Sequence, residues 1–204
     1  TFEKECEKLE NIFSCEKIKF YKIKNLDEST YGNVSKKCEL VLSLSSPWIF
    51  KKKHIEFCKN LFNIHCSDLP RWAGGGGQSW KILAGINYSA VTVHKISEGV
   101  DTGDIVCNKK YFFPSECKTP KEFDDYTRKI SFDLLKDFIK KFLSKELVVT
   151  SYPQQKLFSS YFPRLNSSIH GCIDWSWNYF DLVKFIDAFD DPYCGAFSRI
   201  NCKS

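Results

Sequence analysis

Short apolar runs that alternate with helical patterns are the feature that most constrains how this chain can fold. Four runs have the length and composition of buried strands: Glu39–Leu44, Leu61–His65, Ala90–Ile96 and Ile105–Phe113. Helical spacing or helix-start signals mark three further segments, Ile49–Asn60, Gln78–Ala84 and Pro120–Lys145. This alternation predicts an α/β domain with a mostly parallel sheet flanked by helices.

Weaker patterns lie toward the two ends of the chain. They predict a helix over residues 2–13, a strand at Ile18–Ile23, a loop or short turn at Asn25–Val34, a last helix at Tyr179–Phe189 and a strand at Ala196–Ile200. A polar stretch, Tyr152–Ile173, separates the long helix from the last one. At 204 residues, the chain has the size of one domain, or of one domain with a small appendage.

Charge and cysteine content narrow the class of protein. The net charge is +5, and the basic clusters Lys51–Lys53 and Lys140–Lys141 are separated by acids, so solvated helix faces explain them better than nucleic-acid binding. No apolar run approaches the roughly 18 residues of a membrane span. Ten cysteines without a CxxC pair or a signal peptide indicate reduced thiols in a cytoplasmic protein.

Asn63 and His65 are the first candidates for chemistry. They lie two residues apart on a predicted strand, so their side chains point to the same face at its carboxyl end. Ligands of open α/β sheets bind at these strand ends. The neighbouring Cys66 points to the opposite face, which argues against a Cys–His nucleophile pair. For His65 alone, a structural role explains the residue as well as a catalytic one.

Two loops leave alternatives open. Gly74–Gly77 lacks the Lys-Ser/Thr of a phosphate-binding loop, and it is consistent either with a flexible surface loop or with close approach to a ligand. Glu98–Asp104 holds three acids and two glycines, as an ordinary turn does, or it brings a carboxylate to His65. With the acids crowded into one turn and one candidate histidine, a metal site is disfavoured.

Several motifs, in order along the chain, resemble the folate-dependent formyltransferases. That family's signature is Asn-x-His-x-Ser-x-Leu-Pro, followed by an Asp in an Asp-x-Gly loop. This chain has Asn63-Ile64-His65-Cys66-Ser67-Asp68-Leu69-Pro70, then Gly85, then Val91-Thr92-Val93-His94, and then Asp101-Thr102-Gly103-Asp104-Ile105-Val106. The resemblance runs from about Glu39 to Val106 and resumes near the end of the chain. It implies a Rossmann-like sheet.

Within that family, three segments resemble the branch that formylates nucleotide-linked amino sugars. They are Ser46–Phe50, Gly74–Trp80, and a C-terminal part with Ile173–Trp175, Phe185–Tyr193 and Gly195-Ala196. Cys66, and Cys194 in place of the family's usual Pro, depart from the pattern. The resemblance implies a catalytic domain over 1–150, whose first strand and Gly-rich turn would precede Thr1. It also implies an extension over 151–204, a short helix and β-hairpin that completes the substrate site and the dimer contact.

The resemblance implies transfer of a formyl group from N10-formyltetrahydrofolate to the amine of a nucleotide-linked sugar, such as a dTDP-3- or 4-amino-dideoxy sugar, by direct attack and without a metal. Asn63 would stabilise the oxyanion, His65 would take the amine's proton or assist through the same oxyanion, and Asp101 would orient His65. The folate is expected against Ser46, Pro47, Trp48, Ile49, Gly99, Val100 and Asp104, and the sugar against Ser67, Gly76, Gln78 and Trp80. The resemblance further implies a cytoplasmic homodimer that acts in lipopolysaccharide O-antigen biosynthesis and binds no nucleic acid.

Two alternatives remain open at this point. Another branch would formylate methionyl-tRNA or glycinamide ribonucleotide. However, the tRNA enzymes carry an extra basic C-terminal domain for which this chain has no room, and the purine enzymes lack the tetraglycine-Gln-Ser-Trp pattern. The second alternative is an inactive folate- or nucleotide-binding fragment. The joint presence of Asn63, His65 and Asp101 speaks against it.

Overall fold

Four strands form one sheet in the computed structural model, which describes residues 10–146 and 150–199. They are β1 (Val41–Leu44), β2 (Leu61–His65), β3 (Tyr88–Lys95) and β4 (Ile105–Phe112), and they lie side by side in chain order. All four coincide with the predicted apolar runs, and helices flank the sheet. The α/β class is therefore confirmed.

The pairing of the strands differs from the expectation of a mostly parallel sheet. β1 and β2 are parallel, with Leu44 beside Ile64, whereas β3 is antiparallel to both β2 and β4. The described sheet is thus mixed. Residues 96–104 connect β3 to β4, and a parallel pair needs a crossover of about a dozen residues or more. The short connection enforces the reversal, and it carries the loop with Asp101.

The helices are mostly short, apart from one that spans the sheet. They are α1 (Ser29–Ser35), α2 (Lys52–Ile55), α3 (Gly77–Leu83), α4 (Pro120–Leu143), α5 (Ser167–His170) and α6 (Tyr179–Ala188), with a 3-10 turn at Lys156–Phe158 and helical residues at 10–15. A capping box starts α4, because Thr119 Oγ1 accepts the Glu122 N–H and the Glu122 carboxylate accepts the Thr119 N–H. The long helix of the prediction is confirmed.

One face of β2 and β3 is buried in a core that also contains residues of α4 and α6. Phe62, Ile64, Val91 and Val93 lie in the main core, and the ring of Phe62 meets that of Phe138 edge-on at 5.3 Å. Strand residues alternate between the two faces, so this burial directs Asn63 and His65 to the other face. The core thus sets the register of the candidate site.

Four predicted elements differ from the structure. Ile18–Ile23 is irregular, and its Phe20 packs on Phe13 instead of pairing with a strand. Ile49–Asn60 contains helix only at α2, because Phe50 is buried in a second core and the chain turns into β2. α1 forms where a loop or turn was expected, since buried Gly32 and Ser35 pack it onto the domain. A strand at Ala196–Ile200 is reduced to a parallel bridge between Phe197 and Cys172, and residues 1–9 and 200–204, with the rest of the expected hairpin, lie outside the described ranges.

The eight cysteines described are free thiols. Nowhere in 10–146 or 150–199 does a helix combine the length and apolar character needed to cross a membrane.

Candidate active site

The antiparallel pairing of β2 and β3 places His94 directly opposite Asn63. Asn63 Nδ2 donates a hydrogen bond to His94 Nε2 over 3.1 Å. The other ring nitrogen, Nδ1, carries its proton toward the Lys95 carbonyl at 2.8 Å, so Nε2 is free to accept. His94 is buried, and it fixes the orientation of the Asn63 amide.

His65 lies between a backbone carbonyl and a carboxylate. Its Nε2–H donates to the carbonyl of Trp72 at 2.6 Å, and its Nδ1 is 3.6 Å from Asp101 Oδ2. The side chains of His65 and Asp101 are 12% and 13% exposed, so the pair is shielded from water but reachable. The structure therefore brings together the three residues predicted to be catalytic.

Asp101 is held in place by its own backbone, by Gly74 and by Gln154. Its backbone is left-handed, with φ of 53°, which turns the side chain inward from the loop. Oδ2 accepts the N–H of Gly74 at 2.9 Å, and Oδ1 is 3.7 Å from His94 Nε2. Gln154 Nε2 donates to the carbonyls of Asp101 and Gly103, each at 2.7 Å, and so fastens the loop to the segment after α4.

The two titratable groups are both shifted. Burial lowers the pKa of His65, and the charge of Asp101 and the bond to Trp72 oppose that shift only in part. Burial alone would raise the pKa of Asp101, but His94, His65 and the Gly74 N–H together leave it lowered. The site thus favours an ionised carboxylate beside an imidazole that resists protonation.

The residues expected to contact folate lie in two loops on either side of β2. Ser46–Ile49 follows β1, which is parallel to β2, and Trp48 packs in the same apolar cluster as Ile96, where the second loop begins. In the second loop Gly99 and Val100 are exposed, and Asp104 is half-buried beside Lys95 and Ser151. Ile49 is 58% exposed. The second loop lies at the site, because it carries Asp101, and the first loop shares an apolar cluster with the start of the second.

The residues expected to contact the sugar are engaged with the protein itself. Ser67 Oγ is buried and accepts a hydrogen bond from Lys81 Nζ at 2.7 Å. Trp80 Nε1 donates to the carbonyl of Pro163 at 2.9 Å. The Gln78 amide nitrogen reaches Asp124 and Thr127 at 3.4 and 3.3 Å, while its Oε1 is buried without a partner.

Residues 160–164 cover the glycine run. Phe162 N–H donates to the Ala73 carbonyl at 2.8 Å, and Gly76 N–H donates to the Phe162 carbonyl at 3.2 Å. A Cβ at Gly76 would lie 2.1 Å from the Pro163 carbonyl oxygen. These glycines leave room for the chain's own segment, so the structure shows neither the flexible surface loop nor the approach to a ligand that the sequence left open.

Sequence reasoning missed four contributors to the site: His94, the Trp72 carbonyl, the Gly74 N–H and Gln154. Backbone groups carry no sequence signal. His94 was hidden by the assumption of parallel strands, since only antiparallel pairing places it opposite Asn63. Cys66 bonds to Ser131 on the other face, and burial raises the pKa of its thiol, as the argument against a nucleophile requires.

A cleft of about 250 Å³ opens beside the site rather than at it. It lies between the 68–71 loop, β4 and residues 152–158, and its walls include Arg71, Asn108, Lys110 and Gln154. Gln154 joins this cleft to the Asp101 loop. Among the residues the structure describes, no group of three His, Cys, Asp or Glu side chains is placed to hold a metal ion.

Comparison with known proteins defines the class. The sequence profile of the Formyl transferase family matches residues 41–136, which hold the whole sheet and most of α4. Residues 41–136 are thus similar to the Formyl transferase family, and the resemblance seen in the sequence is confirmed.

Two solved structures and one sequence relative are similar to this chain. An N-formyltransferase from Helicobacter canadensis, in complex with folinic acid and dTDP-3-aminofucose, is 25% identical with a TM-score of 0.67, covering 82% of this chain and 61% of that one. The sugar 3N-formyl transferase WlaRD, with dTDP and 5-N-formyl-THF, is 27% identical with a TM-score of 0.62, covering 76% and 57%. A methionyl-tRNA formyltransferase from Prochlorococcus marinus is 29% identical over 81% of this chain, which spans about half, 52%, of that relative.

Proposed function

We propose that this chain transfers a formyl group from N10-formyltetrahydrofolate to the amine of a nucleotide-linked amino sugar. The observation that carries the proposal is the joint placement of Asn63, His65 and Asp101 at the carboxyl end of β2, inside the region that is similar to the Formyl transferase family. A neutral amine attacks the formyl carbon directly, and the bond from that carbon to N10 then breaks as N10 takes up the proton that the amine has lost, so the reaction needs no protein nucleophile. The raised pKa of Cys66 and its position on the opposite face agree with this.

Asn63 stabilises the negative charge that develops on the formyl oxygen. An amide nitrogen has two N–H donors, and His94 takes one of them, which leaves the second for the oxyanion. Because His94 and the strand pairing already fix the amide, little reorganisation is needed as the charge develops. One such donor typically contributes roughly 3–4 kcal/mol to transition-state stabilisation.

His65 takes the proton of the attacking amine, with Asp101 as its orienting partner. In the structure Nε2 is a donor to Trp72, so it holds a proton and not a lone pair. To act as base, the ring places its proton on Nδ1 toward Asp101 and releases the Trp72 carbonyl when substrate enters. The alternative role, an Nε2–H donor to the same oxyanion, needs the same release. The lowered pKa of His65 suits a base that stays neutral near pH 7.

The choice of a sugar amine rests on the two solved relatives, one with a dTDP-amino sugar and one with dTDP. Methionyl-tRNA is the second candidate acceptor, because sequence relatives carry that name. We also infer a homodimer that forms through the 151–204 extension. Tyr179 and Phe180 at the start of α6, 72% and 75% exposed, offer apolar surface for it.

A transfer assay by mass spectrometry tests the proposal. The chain receives N10-formyltetrahydrofolate with dTDP- and UDP-linked 3- and 4-amino sugars, or with methionyl-tRNA, and His65→Asn serves as the matched control. We expect the wild type to add a single formyl group to one of the sugars, and His65→Asn to add no formyl group to that sugar.

Formylation of methionyl-tRNA alone would overturn the sugar assignment and keep the reaction. Absence of transfer to every acceptor, together with absence of folate binding, would overturn the proposed reaction itself.

A further inference from the structure

Lys81 is a buried lysine that the proposed reaction does not use. It lies on α3, and its side chain has no exposed surface. Lysines are almost never fully buried unless paired, because removing an ammonium from water is costly. A fully buried ammonium next to the site therefore needs a reason.

The ammonium contacts both ends of one loop. Nζ donates to Ser67 Oγ at 2.7 Å and lies 5.0 Å from the centroid of the Trp72 indole ring. A cation over the face of an indole is attracted by the ring's electrons, most strongly when water is absent. Lys81 thus joins residue 67, where the loop leaves β2, to residue 72, where the loop reaches the glycine run.

The same loop holds the two titratable candidates. The Trp72 carbonyl accepts the His65 Nε2–H, and two residues later the Gly74 N–H donates to Asp101. The Ser67 carbonyl is bound in turn by Thr92 Oγ1 at 2.8 Å, which fixes that end of the loop to β3. The position of His65 relative to Asp101 therefore depends on the geometry of residues 67–74.

We propose that Lys81 is a positioning residue, whose buried ammonium clamps residues 67–74 so that the Gly74 N–H holds the Asp101 carboxylate beside His65, also after the His65 ring has released the Trp72 carbonyl. Burial lowers the pKa of Lys81 to about 8, and the carboxylates of Asp124 and Asp68 oppose that shift, so the ammonium form still predominates at neutral pH. Its catalytic consequence rests on the proposed function, whereas the clamp itself does not.

Neutral replacements test the clamp. Lys81→Met fills similar space without charge or donor, and Lys81→Gln keeps a donor for Ser67 without the cation over Trp72. Lys140→Met on the exposed side of α4 is the matched control. Burying an ammonium costs desolvation free energy, and Lys81→Met removes that cost. We therefore expect Lys81→Met to remain folded. Two different replacements provide a folded variant for the measurement.

The first readout is amide hydrogen exchange in the chain without ligands. We expect exchange at Gly74 to accelerate roughly tenfold or more in both Lys81 variants, while the amides of β3 keep their wild-type rates, because only the loop loosens. The hydrogen-bonded Nε2–H resonance of His65 should weaken in parallel. Unchanged amide exchange at Gly74 together with an unchanged His65 resonance would overturn the proposal. Amide exchange that accelerates equally at Gly74 and throughout β3 would also overturn it, because Lys81 would then stabilise the fold as a whole and not the loop.

The second readout is turnover. We expect kcat for formyl transfer to fall roughly tenfold or more, since small misplacements of catalytic groups are costly, while the KM for the formyl donor stays within twofold of the wild-type value. A lower kcat with the same KM is the result expected when a residue positions the catalytic groups and does not bind the formyl donor. A wild type without any formyl transfer would contradict the proposed function, yet the exchange data would still decide on the clamp.

Discussion

The substitution Gly76→Ala tests whether the glycines of residues 74–77 leave room for a ligand or for residues 160–164 of the same chain. The backbone of Gly76 has φ of −101°, which any residue adopts, so the substitution introduces no conformational strain at this position. The added Cβ would lie 2.1 Å from the carbonyl oxygen of Pro163 and 2.9 Å from the Trp80 ring. A backbone oxygen cannot swing aside, so residues 160–164 must move away.

The cost follows from what that movement breaks. Overpacking costs about 1–3 kcal/mol, and the bond from Gly76 N–H to the Phe162 carbonyl contributes about 1 kcal/mol. The stack of Phe162 on Trp72, at 4.2 Å between centroids, adds about 1 kcal/mol. We expect the free energy of unfolding to fall by about 3 kcal/mol in total, because the segment relaxes in part and recovers some of these contacts.

Urea denaturation followed by tryptophan fluorescence measures this loss. With a slope of about 2 kcal/mol per molar urea for a chain of this size, the midpoint should fall by about 1.5 M. Gly75→Ala is the matched control, because the atoms nearest its Cβ belong to the Arg164 side chain, which can rotate away. We expect its midpoint to stay within about 0.3 M of the wild type. Equal midpoints for the two variants would refute the account of the glycine run.

Three further predictions concern the site and the helices. The pKa of Asp101 is lower in the folded than in the unfolded chain, so the ionised carboxylate stabilises the fold above its unfolded pKa, and this stabilisation is lost as the pH falls through its folded pKa. The difference in unfolding free energy between wild type and Asp101→Asn should therefore shrink on acidification. A difference that does not depend on pH would contradict this prediction. Asn63→Ala should lower kcat roughly 10²–10³-fold with folate affinity kept, as steady-state kinetics and titration calorimetry can check, and a loss below tenfold would exclude the oxyanion role. Asn178→Ala should cost about 1 kcal/mol in urea denaturation, since Asn178 Oδ1 caps α6 by accepting the Asp181 N–H, and no loss would show that the cap contributes nothing.

The sequence predicts the strands and half of the site for identifiable reasons. Each apolar run is long enough to fill a buried strand, and the two-residue period places Asn63 and His65 on one face, opposite the core that Phe62 and Ile64 enter. Asp101 came from the family resemblance and not from the pattern, because a turn with three acids gives no sign of which one faces a histidine. The structure places it 3.6 Å from His65.

What the sequence missed depends on contacts between distant parts of the chain. The role of the glycines is decided by residues 160–164, which lie far along the chain and carry no pattern that points to Gly76. The strand expected at Ile18–Ile23 has the right alternation, but within residues 10–146 and 150–199 no strand lies beside it. The roles of Ser67 and Lys81 depend on the packing of α3, which places the Lys81 ammonium under the loop, and the sequence pattern does not indicate this contact.

The most direct test of the account is single-turnover transfer of a ¹³C-labelled formyl group, with folate affinity measured on the same samples. Wild type, His65→Asn and Asp101→Asn are each mixed with labelled N10-formyltetrahydrofolate and the amino sugar that the panel identifies. We predict that all three bind the donor with similar affinity and that only the wild type moves the label to the sugar at an appreciable rate. Transfer by His65→Asn at the wild-type rate would contradict the assignment of the site.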